Sequence, residues 1–83
     1  MMSRANDNIM QFLSHNVLYL RTKNHITKKE MAKILGIGII TLNKIEQGFL
    51  PPRLNVEMLF RIRDYFGVPL SLLVSAKLGE TIV

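Results

Sequence analysis

The 83-residue chain reads as all-α, a compact bundle of five helices. Three observations predict this class. Apolar residues recur at spacings of three and four, the period of a helical stripe, and nowhere alternate as a half-buried strand would. Glycine, asparagine and proline stand where each stripe ends. A helix-starting signature, Thr27-Lys28-Lys29-Glu30, leads into one stripe, and Gly36-Ile37-Gly38 separates it from the next.

The first helix is predicted over residues 7–23, with Asp7 as its N-cap. Ile9, Leu13, Val17 and Leu20 form its stripe, widened by Met10, Phe12 and Tyr19. It is expected to stop at Asn24-His25, because asparagine tolerates the left-handed backbone that ends helices. Thr27 opens the second helix through a capping box: its hydroxyl takes the third backbone donor and Glu30 reaches back to the cap amide. Met31, Ile34 and Leu35 form the inner face, and Gly36 ends the helix in a conformation that glycine adopts at little cost.

Gly38 caps a third helix over residues 39–47, with Leu42 and Ile45 inward and Gly48 as its stop. Pro51 and Pro52 lack the donors a helix needs. Asn55 then caps a fourth helix over residues 56–66, with Val56, Leu59, Ile62, Tyr65 and Phe66 facing inward and Gly67 ending it. Pro69 suits the first turn of a short fifth helix over residues 69–74. Met10, Met58, Tyr65 and Phe66 are assigned to the core, and residues 75–83 to a weakly specified tail.

Composition bounds the function. The chain reads as one domain, residues 1–83, whose 48% apolar content supplies a core without staples. There is no cysteine, which excludes disulfide frameworks and thiolate metal sites and fits a reducing cytoplasm. The longest apolar stretch, residues 34–42, is broken by two glycines and falls short of the roughly 18 residues a membrane span needs. No membrane association and a cytoplasmic location are therefore expected. His15 and His25 lack a second ligand at helical spacing, so no metal or other cofactor is expected. No nucleophile–base pair and no glycine-rich phosphate loop after a strand can be found, so the chain does not read as an enzyme.

Charge points to a partner. The net charge is +5, and between residues 21 and 44 Arg21, Lys23, Lys28, Lys29, Lys33 and Lys44 face one acid, Glu30. Such a stretch is either the footprint of a polyanion or a solvated helix face, and the helix pattern has to decide. It does so through sterics. Two steeply crossing helices need a small residue at closest approach, supplied by Ala32. They also need a turn free of a Cβ penalty, supplied by Gly36, and an apolar anchor, supplied by Leu42 and Ile45. Met31, Ala32, Leu35, Ile37, Leu42 and Ile45 then form a shared core. The opposite face of the third helix is left free for a major groove.

On these residues the chain from 17 to 74 resembles the Cro/cI-type, or XRE-like, helix-turn-helix family of phage repressors and small bacterial regulators. The matching stretches are Leu20-Arg21, Thr27 to Ala32, Leu35-Gly36-Ile37, Thr41 to Gly48, and Phe66-Gly67-Val68-Pro69. The resemblance implies a lambda-repressor-like DNA-binding domain with its motif at residues 28–47. It further implies a sequence-specific transcriptional regulator, acting as a repressor on double-stranded DNA. The third helix would be the recognition helix, presenting Ile39, Ile40, Asn43 and Lys44, with Thr41 at the edge. Asparagine can read adenine and lysine can donate to guanine. Lys28 would meet a phosphate, helped by the positive end of its helix. Arg53 would touch the backbone or minor groove, and Lys29 and Lys33 would add long-range attraction. Arg21 and Glu46 match a pair that ties the third helix to the first in repressors of this family.

Four positions depart from the family pattern. Ile39 and Ile40 replace polar side chains, Lys28 stands where glutamine is common, and Gly38 replaces a serine or threonine cap. Isoleucine can contact thymine methyl groups, but two adjacent isoleucines also suit a protein partner. The alternative function is therefore a protein-interaction module on the same scaffold, of antitoxin or anti-repressor type. The clustered lysines favour DNA. One recognition helix covers few base pairs, and dimers of the family set two about 34 Å apart. Leu70, Leu72, Leu73 and Val74, with Ile82 and Val83, are the expected homodimer seam, the alternative being packing against the first helix.

Overall fold

The structure, a computed structural model describing residues 4–49 and 56–79, has five helices and no strand among those residues. They are α1 (Arg4–Lys23), α2 (Lys28–Leu35), α3 (Ile39–Glu46), α4 (Val56–Phe66) and α5 (Leu70–Leu73). The all-α class and the order of elements are as the sequence predicts. Boundaries shift slightly. α1 begins at Arg4, so Asp7 lies inside the helix instead of capping it. Gln47 is the C-cap of α3, and Pro69 is the N-cap of α5. Asn55, the expected cap of α4, lies outside the described residues.

The helix ends obey backbone chemistry. Thr27 is extended (φ −71°, ψ 161°), and its hydroxyl accepts the Glu30 amide while Glu30 Oε1 accepts the Thr27 amide, each at 3.1 Å. This is the predicted capping box. α2 closes at Gly36 (φ 72°), where the amides of Ile37 and Gly36 donate to the carbonyls of Ala32 (3.0 Å) and Lys33 (3.2 Å). That pair of bonds is a Schellman end, which turns the chain sharply and satisfies two orphan carbonyls.

α1 closes the same way, but with an unexpected residue. His25, not Asn24, takes the left-handed backbone (φ 56°). The amides of Ile26 and His25 bond the carbonyls of Arg21 (2.9 Å) and Thr22 (3.2 Å). Asn24 stays on the helical side and donates its Nδ2 to the Leu20 carbonyl at 2.7 Å. Its polar side chain serves the helix end directly, so the backbone reversal falls one residue later.

One core joins the elements. Met10, Leu13, Val17 and Leu20 from α1 meet Met31, Ala32 and Leu35 from α2, Leu42 and Ile45 from α3, Met58 and Ile62 from α4, and Leu73 from α5. α1 packs on α3 and α5, α2 on α3 and α4, and α4 on α5. Two assignments on α4 are corrected. Val56 and Tyr65 are exposed, at 59% and 61%. Met58, Leu59, Ile62 and Phe66 already fill the inward arc, and Tyr65 is carried about 100° round from Phe66. Its ring instead meets Phe66 edge-on, with centroids 4.8 Å apart.

The expected weak tail is also corrected as far as it is described. Asn16, fully buried on α1, donates its Nδ2 to the carbonyls of Leu73 (2.6 Å) and Ala76 (2.8 Å). Its Oδ1 accepts the Leu78 amide at 2.8 Å. One side chain thus satisfies three backbone groups, one at the end of α5 and two beyond it, and His15 Nε2 bonds the Leu78 carbonyl at 2.9 Å beside it. A buried amide is tolerated because its hydrogen bonds are made.

Candidate nucleic-acid interface

α3 is held on its inner side by α1. Ser14 and Arg21, seven residues apart, lie on the same face of α1. Both clamp Glu46. Ser14 Oγ donates to the Glu46 carbonyl at 3.2 Å. Arg21 meets the Glu46 carboxylate with two prongs, Nε to Oε2 at 2.6 Å and Nη2 to Oε1 at 3.1 Å. The side chains are 16% and 6% exposed, so solvent screens the pair little. Arg21 Nη1 also donates to the Ile26 carbonyl (3.4 Å), tying in the loop before α2. The pairing implied by the family resemblance is present.

With Leu42, Ile45 and Glu46 committed inward, the rest of α3 faces out. Ile39 is 43% exposed and Ile40 73%. Lys44 is exposed, and Thr41 sits half-buried at the edge. Lys28 and Lys29 are exposed at the start of α2, and Lys33 further along it. The two acids of this region are engaged: Glu30 is folded back into the capping box and Glu46 is bound to Arg21. The free face is therefore apolar at its start and cationic around it. Arg53 lies outside the described residues.

Asn43 departs from a freely outward reading. It is half-buried, and its Oδ1 is shielded from solvent without a hydrogen-bond partner among the described residues. Two further residues join the region that the sequence reading did not assign to it. Gln47 is exposed and follows Ile40, Asn43 and Lys44 at the i, i+3, i+4, i+7 spacing of one stripe. Counting that spacing outward from Ile40 would have found it. The Arg61 side chain lies over the α2–α3 turn, where a Cβ at Gly36 would stand 3.1 Å from its Nε. Glu57, one turn earlier on α4, holds it at 3.0 Å. Only the i, i+4 pairing of these two was visible in the sequence; the approach to the turn depends on how α4 packs on α2.

The expected seam residues separate. Leu73 is fully buried in the protomer's own core, so it cannot belong to a dimer seam. Leu70 and Val74 are half-buried against that core. Leu72 is 45% exposed. The carbonyl bonds from Asn16 hold α5 against α1, and this sets which leucine turns in.

A tight glycine turn between two helices packed on each other, with the second helix clamped from behind and cations around its free face, defines a helix-turn-helix domain of the DNA-binding class. The chain belongs to the helix-turn-helix family, XRE type, matching it over residues 17–73. It is also 30% identical, over 56 residues, to an uncharacterised HTH-type transcriptional regulator of Methanocaldococcus jannaschii. That match spans 68% of this chain and 82% of the relative. No solved structure matches the chain. No helix among the described residues is long and apolar enough to cross a membrane.

Proposed function

We propose that the protein is a sequence-specific, DNA-binding transcriptional regulator of the repressor kind, which lays α3 in the major groove of a duplex. The observation that carries this reading is the free face of α3, with Ile39, Ile40 and Lys44 solvent-accessible and Lys28 and Lys29 beside it on α2. In this reading Asn43, Lys44 and Gln47 hydrogen-bond base edges, and Ile39, Ile40 and Thr41 make apolar and edge contacts. Lys28 meets a phosphate at the positive end of α2, and Arg53 meets the backbone. Family membership and the relative's description as a transcriptional regulator support the same reading.

A homodimer completes the proposal, since one eight-residue helix spans too little of a groove to select a site alone. Leu72 and the uncovered edges of Leu70 and Val74 are its seam. Titrating duplex affinity against salt tests the function. The logarithm of affinity should fall by about 0.9 per phosphate contacted for each unit of log salt, and Lys28→Gln should flatten the slope by about one contact. Affinity insensitive to salt would overturn the reading. The exposure of the two isoleucines favours a second reading, a docking surface for a protein partner. In that case Ile40→Asp would abolish partner capture while Asn43→Ala changed nothing.

A further inference from the structure

The first turn of α3 is chemically unlike the rest of its free face. Ile39 and Ile40 are 43% and 73% exposed, and neither side chain can donate or accept a hydrogen bond. The exposed hydrogen-bonding side chains, Lys44 and Gln47, come with half-buried Asn43 from the second turn onward, and the one hydroxyl of the first turn, Thr41, is half-buried at the edge. Gly38 adds nothing polar at the start: it is extended (φ −79°, ψ 160°) and supplies no side-chain cap bond. Exposing two large aliphatic side chains to water is unfavourable, and the charge around them (Lys28, Lys29 and Lys44, all exposed) selects a polyanion as what covers them. In a major groove the apolar group on a base edge is the C5-methyl of thymine. 5-Methylcytosine carries the same methyl at the same ring position.

We infer that the first turn of α3 reads C5-methyl groups, so that this protein selects sites by thymine or 5-methylcytosine at the positions facing Ile39 and Ile40. The inference rests on the DNA-binding reading and sharpens it. The second turn of α3 reads hydrogen-bonding edges, and the first turn reads the presence or absence of a methyl. Cytosine methylation at those positions would tighten binding rather than block it.

The test starts from a site selected out of a random duplex library by the full chain. Thymine is replaced by deoxyuridine one position at a time, which deletes the methyl and keeps every hydrogen-bonding group. At one or two adjacent positions the loss should be about fourfold per methyl, the equivalent of burying one methylene-sized group. Replacing the same thymine by cytosine and then by 5-methylcytosine should recover about the same factor. Ile40→Ala should lose the dependence on that methyl while keeping the salt dependence of binding. At 73% exposure the side chain contributes little to the core, and a matched melting temperature checks this.

Salt-dependent binding that ignores deoxyuridine everywhere would overturn the inference and leave the DNA-binding reading standing. A methyl effect undiminished in both Ile40→Ala and Ile39→Ala would also overturn it, by placing the effect in DNA shape. Failure to bind any duplex, with a protein partner lost in Ile40→Asp, would remove both.

Discussion

At Asn43 the proposed recognition role would compete with stability. Its Oδ1 is shielded without a partner among the described residues, while its position on α3 is on the proposed groove side. An unpaired buried carbonyl costs about 1–3 kcal/mol, and asparagine is a weak helix former besides. Asn43→Ala should therefore raise the unfolding free energy of the free protein by about 1 kcal/mol. The same change should weaken binding to the selected site by about 1–3 kcal/mol and relax preference at one base pair. Chemical denaturation and competition with single-base variants measure the two effects. A variant that lost both stability and binding would show Asn43 to be structural. Residues kept against their own local energetics are expected where a site needs them.

Among the elements, α1 does more than fill the core. It anchors α3 through Ser14 and Arg21, and the segment after α5 through Asn16. Removing one partner of a desolvated ion pair leaves the other charge unpaired, so Glu46→Ala should destabilise the fold by about 3 kcal/mol. Arg21→Met combined with Glu46→Leu should recover most of that loss, because an apolar pair removes the stranded charge. A double-mutant cycle read by denaturation decides it, and additive single effects would contradict the coupling. Asn16→Ala should strand the groups it serves and cost on the order of 3 kcal/mol. Amide exchange at Leu78, whose N–H bonds Asn16 Oδ1, should then accelerate. Unchanged exchange there would mean that other contacts hold the segment.

For the whole molecule, the proposed homodimer requires a seam. Six apolar residues near the end of the chain suggested a seam; Ile82 and Val83 lie outside the described residues, Leu73 belongs to the internal core, and Leu72 is more exposed than Leu70 or Val74. Leu72→Glu should therefore leave the melting temperature nearly unchanged, as surface substitutions do. In sedimentation with a palindromic duplex it should convert the proposed two-protomer complex to one. A complex of unchanged stoichiometry would place the seam elsewhere. The radius of gyration, 12.1 Å, is close to the roughly 12 Å expected of a single folded unit of this length, so such a protomer needs no partner to be compact.

Local chemistry alone determined the class, the capping box, the Gly36 turn and the inward residues of α2 and α3. Each of these follows from spacing and backbone preference within a few residues. The lysines and isoleucines of the proposed interface were legible for the same reason, since a face left over by the core is as readable as the core. Tertiary packing alone decided that Asn16 holds the chain after α5, that Arg61 covers the turn, that Tyr65 stays out, and that Leu73 rather than Leu72 turns in. These depend on contacts between residues far apart in the chain, or on competition among several apolar side chains for one cavity. Neither leaves a periodic mark in the order of residues.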